Sequence, residues 1–244
     1  MSYKTLPLLR KMSNNNSNWK SNAILGKMER HRNDNSGNDE YTKLLLHMDG
    51  IEDGTTFTDD SASNHIITRH NALTKTSVKK FGTASGYFDG IGDYLSIPNS
   101  ADWDFGTANF TIDFWFYMVS AIYYDFFFRT DSDIFDIFAS THIPNEIITY
   151  SPLGRIDTSG GYCTISKWHH YAYVRNGNSQ IVYIDGHNRG SSAGSGSCDL
   201  STLNLRVGLE IMQASDVYYV DELRISKGIA RWTENFTPPV VPYS

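Results

Sequence analysis

The residues of this 244-residue chain whose types and spacing could do chemistry fall into three groups. Trp168-His169-His170 sets two imidazoles side by side, which invites metal ligation or general acid–base work. Asp89, Asp93, Asp102 and Asp104 lie near one another, and a hard cation such as calcium needs several oxygens converging. Trp103, Tyr123 and Tyr124 lie in or near turns, where flat rings beside amide or carboxylate groups suit carbohydrate binding. Each group also has a plainer role, which for the large aromatics of a sandwich is packing in the core. Adjacent residues of a strand point to opposite faces, so His169 and His170 cannot share a ligand without a bulge. The expectation is a structural pair with one imidazole satisfied inside. Asp89-Gly90 and Gly92-Asp93 make turns whose carboxylates can cap backbone N–H groups, with loop geometry deciding whether calcium is held instead. Asp221 and Glu222 should diverge across a strand and make a poor paired-carboxylate site. The chain carries no serine nucleophile elbow, no zinc-ligand helix and no phosphate-binding glycine loop. It is expected to be no enzyme, with no catalytic residue and no resident metal or cofactor.

The elements that would position these groups are strands. From Phe110 to Tyr117, Phe110, Ile112, Phe114 and Phe116 fall on one face at period two, and Thr111, Asp113, Trp115 and Tyr117 fall on the other. Short apolar runs recur at close spacing: Leu44 to Met48, Ile66 to Arg69, Gly86 to Phe88, Tyr94 to Ile97, Tyr124 to Phe128, Ile134 to Ala139 and Glu146 to Tyr150. Trp168 to Arg175 and Gln180 to Ile184 flank Asn176-Gly177-Asn178, a hairpin signal, and Leu203 to Val207 and Tyr218 to Ile225 follow. Gly, Asn and Asp punctuate these runs because they tolerate positive φ. The fold class is all-β, an antiparallel two-sheet sandwich, for which 14% aromatic residues suit two facing sheets. The Gly/Ser run from Gly190 to Ser197 reads as a loop, and residues 238–244 as a Pro-rich tail that cannot join a central strand.

Residues 1–42 have a different composition. Met12 to Asn22 and His31 to Asp39 are polar and Asn/Ser-rich, and alone could not bury enough apolar surface to offset chain entropy. The segment is read as an extended basic arm that attaches to a partner through Trp19, Ile24, Leu25 and Met28. The whole chain carries a net charge of −6, which argues against nucleic acid as its partner. No apolar run approaches the ~18 residues of a membrane span. Leu6-Pro7-Leu8-Leu9 is too short for the apolar region of a signal peptide, so export by that route is not expected. Cys163 and Cys198 are too few for a disulfide scaffold; they could pair or stay as free thiols.

Three segments in order resemble one family: Ser85-Gly86-Tyr87-Phe88-Asp89-Gly90 with Gly92-Asp93-Tyr94-Leu95; Trp168 to Arg175 followed by Val182-Tyr183-Ile184-Asp185-Gly186; and Val220 to Ser226. Together they are similar to the concanavalin A-like jelly roll of the laminin-G-like type, over residues 43–237. The stretch from Ser226 to Pro239 resembles the version found in bacteriophage structural and tail-associated proteins. Members of this superfamily include lectins, glucanases and purely structural domains, and some bind calcium at loop rims, so fold alone does not decide function. Glycosidases of this architecture carry a Glu-x-Asp-x-x-Glu strand with two carboxylates about 5 Å apart. Glu146, Glu210, Glu222 and Glu234 all lack the following Asp. The resemblance implies a virion protein of a tailed phage, a decoration, cement or tail-attached component made in the host cytoplasm. Its partners would be other virion proteins or sister copies. The alternative is a lectin or adhesin module for host surface glycans.

Overall fold

The computed structural model describes residues 37–120, 125–140, 146–209 and 217–244. Contacts divide the chain between Asn35 and Ser36, and the second unit, Ser36–Ser244, is the folded body described below. Its strands run β1 (Thr42–Leu46), β2 (Thr68–His70), β3 (Leu73–Lys75), β4 (Ser85–Phe88), β5 (Tyr94–Ile97), β6 (Asp104–Gly106) and β7 (Phe110–Met118). Then come β8 (Asp125–Thr130), β9 (Asp136–Ser140), β10 (Glu146–Ser151), β11 (Gly154–Asp157) and β12 (Trp168–Asn176). The chain closes with β13 (Ser179–Ile184), β14 (His187–Ala193), β15 (Cys198–Asp199), β16 (Leu205–Gly208) and β17 (Tyr218–Lys227).

The strands form an eight-stranded sheet, ordered β14-β13-β12-β7-β17-β4-β3 with β1 also on β17, and a seven-stranded sheet, β11-β10-β9-β8-β16-β5-β2. β6 and β15 pair separately. All pairs are antiparallel, as the punctuated short runs require. Phe110, Ile112, Phe114 and Phe116 of β7 face the seven-stranded sheet and pack with Phe127, Phe128, Ile137, Leu205 and Val207 in one core. The other face of β7 is buried too, because two segments lie across it. Thr111 Oγ1 donates to the Ile229 carbonyl, and Trp115 meets Phe81 edge-on at 5.9 Å.

Three local features differ from the sequence expectation. The Gly190–Ser197 run is not all loop, since β14 extends through Ala193 and pairs with β13. Residues 238–244 are not a free tail, since Tyr243 is buried and its N–H donates to Glu222 Oε2 at 2.8 Å. Asp221 and Glu222 do not diverge. A bulge between Asp221 and Arg224, with Glu222 at φ 52°, turns both carboxylates to the outer side of the sheet. At that bulge the outer partner of β17 changes from β4 to β1.

Candidate binding face

The two histidines do lie on opposite sides of β12. His169 Nε2 accepts the Thr164 N–H at 2.9 Å, so its proton sits on Nδ1 and is donated to Asp185 Oδ2 at 2.7 Å. That bond holds the Asp185 carboxyl below the usual range despite the opposing effect of its burial. His170, on the outer side, lies 3.3 Å from the Tyr243 hydroxyl and is wholly buried. Neither imidazole offers a lone pair to solvent.

The four aspartates do not converge. Asp93 Oδ2 accepts the Asp89 N–H at 2.9 Å, and burial pushes the Asp93 carboxyl up to about 6. Asp89 Oδ1 caps the Ile91 N–H at 2.9 Å. Asp102 instead accepts from Ser63 Oγ at 2.7 Å beside His65, and Asp104 is exposed on β6. Among the described residues, no three of His, Cys, Asp and Glu come together as a cation site. Cys163 and Cys198 are free and buried, and burial pushes the Cys198 thiol up to about 12.

Trp103 corrects the expectation of a sugar platform. It is 0% exposed, its Nε1–H donates to the Pro98 carbonyl at 3.0 Å, and its ring packs beside His65 at 4.6 Å. A single 3-10 turn at Ala101–Trp103 swings the indole inward to cap the core. Tyr123 and Tyr124 lie outside the described residues, as do the arm residues Trp19, Ile24, Leu25 and Met28.

The register of the eight-stranded sheet assembles a different aromatic group. Trp168 of β12 lies opposite Tyr117 of β7, Tyr117 opposite Tyr219 of β17, and Tyr219 opposite Tyr87 of β4. The four rings form one row across four neighbouring strands on the outer face, with centroids 5.7, 5.8 and 5.2 Å apart. Strand spacing of about 4.8 Å sets this interval, and cross-strand aromatic pairs stabilise it. Trp168, Tyr117 and Tyr87 are half-buried, and Tyr219 is 9% exposed. Among the described residues, no hydrogen bond engages the three phenol hydroxyls or the indole N–H of this row.

One end of the row carries a cation. Lys75 Nζ stands 5.6 Å from the Tyr87 ring, held by Asp53 at 2.6 Å and Glu52 at 3.1 Å. One long side is a wall made by Lys80 and Phe81, whose N–H groups both donate to Asp221 Oδ2, at 2.8 and 3.2 Å. The Lys80 ammonium sits over the Trp115 ring at 3.8 Å.

The outer face of the opposite sheet also has stacked rings, Phe126 on Phe138 at 4.9 Å and Phe138 on Tyr150 at 6.0 Å. Its polar groups are largely paired with one another, although Arg129 Nε and Asp136 Oδ1 make no hydrogen bond among the described residues. Arg129 is paired with Asp133 and lies 3.4 Å from Asp136. Arg155 is held by Asp157 at 2.6 Å and by the Tyr150 hydroxyl at 2.7 Å. Phe138 is only 8% exposed.

Residues 88–230 match the family model described as the concanavalin A-like lectin/glucanases superfamily, in its third laminin-G form, and the chain belongs to that family. No curated protein matches it. Among solved structures, it is similar to the binding domain of Paraclostridial mosquitocidal protein 1, with a TM-score of 0.63 and 15% identity over 79% of this chain and 50% of that one. The botulinum neurotoxin serotype D binding domain gives 0.58 and 15%, over 80% and 50%. The serotype G binding domain gives 0.60 and 12%, over 78% and 49%. The chain spans about half the length of these binding domains. At these identities the likeness is one of fold.

Proposed function

We propose that this lectin-like jelly roll is a non-enzymatic recognition module that holds a glycan along the row Trp168–Tyr117–Tyr219–Tyr87. The observation that carries this reading is the row itself: four rings in register, with their hydrogen-bonding groups unspent. A sugar ring offers an apolar C–H face and a rim of hydroxyls. Aromatic faces and edges take the first, while phenol hydroxyls and the Lys75 ammonium take the second. Strands fix the four side chains, so little ordering entropy is lost on binding. The similar solved structures are themselves described as binding domains, which supports recognition as the role of this fold. The test is a glycan array followed by titration of the retained ligand. Trp168→Ala and Tyr117→Ala should each weaken binding about ten- to a hundredfold, at ~1–3 kcal/mol per stacked ring. Phe138→Ala on the opposite sheet should leave it unchanged. Retention that survives Trp168→Ala contradicts the assignment.

The setting is a separate proposal. The likeness of Ser226–Pro239 to the form found in phage structural proteins supports display on a tailed-phage particle, as a decoration, cement or tail-attached component held by residues 1–42. Purified particles should then contain the chain, and deletion of residues 1–40 should remove it from them. A truncated chain at full occupancy would place the attachment on the sandwich instead.

A further inference from the structure

We propose that residues 229–244 are a latch over the outer face of the eight-stranded sheet, seated by Tyr243 and released when His170 takes up a proton. The segment leaves β17 at Gly228 and crosses the face without forming a ladder. Trp232 and Phe236 stack on each other at 4.1 Å and stand edge-on to His170 at 5.5 and 5.7 Å. The Phe236 N–H donates to the Gly186 carbonyl at 2.9 Å. From Thr237 to Pro242 the chain is exposed or half-buried, with Val240 at 79% exposure, and three prolines there lack N–H groups. Beyond Phe236 the segment is therefore held at its end, by Tyr243 and by the Ser244 carbonyl, which accepts the Asn38 N–H at 2.6 Å.

Tyr243 is 2% exposed. Its ring covers the Arg224 guanidinium at 3.8 Å and its N–H donates to Glu222 Oε2 at 2.8 Å. Its hydroxyl donates to Asp113 Oδ2, so the same oxygen accepts from His170 Nε2–H at 3.3 Å. That tautomer leaves His170 Nδ1 as a bare lone pair, buried and without a partner among the described residues. A proton added there creates a cation with no acceptor, against the rings of Trp115, Trp232 and Phe236.

The surrounding charges decide how hard that proton is to add. Asp113 faces His170 from β7, at 3.8 Å, and Arg224 from β17. Asp185, in the β13–β14 turn, accepts the His170 N–H at 2.9 Å. Lys80 lies beyond Trp115, and His47 bears on the site through its 2.8 Å bond to Glu222. Burial holds His170 below the ordinary histidine range despite the attraction of Asp113. Asp113 stays ionised, since Arg224, His170 and Tyr243 outweigh its burial. The seated state thus refuses a proton that the open state accepts, and the balance moves toward opening as pH falls below about 6.5. His47 acts in the opposite sense. Its bond to Glu222 raises its pKa, so its contribution is full at acid pH and fades on the alkaline side.

Hydrogen exchange of the full chain, corrected for intrinsic rates, tests the latch. Between about pH 7.5 and about pH 5, protection of the Tyr243 and Phe236 amides should fall at least about tenfold, while Phe114 and Tyr171 stay protected. His170→Gln keeps an N–H donor and cannot take the proton, so its latch protection should not fall at acid pH and, with His47 still bonded to Glu222, should hold or rise. Constant protection in the native chain, or an equal fall in His170→Gln, overturns the proposal. Should that variant fail to fold, the imidazole resonances of the native chain decide. A His170 that titrates while the Tyr243 amide stays protected also overturns it.

Discussion

Two buried carboxylates, each beside an arginine, show how geometry sets the sign of an interaction. Asp113 takes two bonds from Arg224, at 3.2 and 3.1 Å, and a third from the Tyr243 hydroxyl. These outweigh burial and hold its carboxyl below the usual range, so its stabilisation is present above the unfolded pKa and is lost as pH falls through the folded one. Asp113→Asn should cost about 3–5 kcal/mol, because it strands Arg224 without a counter-charge. Asp136 meets Arg129 at 3.4 Å without a hydrogen bond to it, and burial pushes it up to about 6. Its charge is disfavoured in the fold, so stability from this group declines as pH rises from about 4 to about 6. Asp136→Asn should be neutral or stabilising by about 1–2 kcal/mol at pH above 6 and without effect near pH 4. Denaturant melts of both variants across pH check these opposite signs. At this scale the divergence of His169 and His170 was legible, since it needs only strand periodicity. The inward turn of Trp103 was not, because it depends on the Pro98 carbonyl that receives its N–H.

Among the elements, β7 announces itself because its period-two pattern is uninterrupted for its whole length. The two-sheet architecture follows from such runs and their turn residues. β14 is different. Its Gly190 stands where a Cβ would meet Ile156 Cγ2 at 2.6 Å and the Asp157 carbonyl at 3.1 Å, so the two sheets can close at this edge only over a small residue. A composition suited to that approach is also the composition of a loop. The turn before it, Asp185-Gly186, has φ of 51° and 75°, the left-handed pair that a two-residue hairpin requires. A Cβ on Gly186 would also run into the Phe236 carbonyl. Gly186→Ala should therefore lower stability by about 1–3 kcal/mol, read from the denaturant midpoint. An unchanged midpoint would mean that neither the turn nor the Phe236 contact constrains this position.

In the whole molecule, the candidate site exists only through sheet order. Trp168, Tyr117, Tyr219 and Tyr87 are scattered along the sequence and become neighbours because β12, β7, β17 and β4 are neighbours in space. Each lies within or beside a run that reads as a strand, but periodicity fixes only the face a side chain takes. Which strands adjoin, and in what register, is settled by long-range pairing. The arrangement also divides the outer face of the eight-stranded sheet. Residues 229–244 cover His170, Asp113 and Arg224, and the aromatic row lies beyond the wall of Lys80 and Phe81, with Trp168, Tyr117 and Tyr87 half-buried. The most direct test of recognition by that row is a heteronuclear NMR titration with a glycan retained on the array. Saturable shifts should appear first at the Trp168 indole N–H and at the amides of Tyr117, Tyr219 and Tyr87. Shifts confined to Phe126, Phe138 and Tyr150 on the opposite sheet, with the row unmoved, would contradict the account.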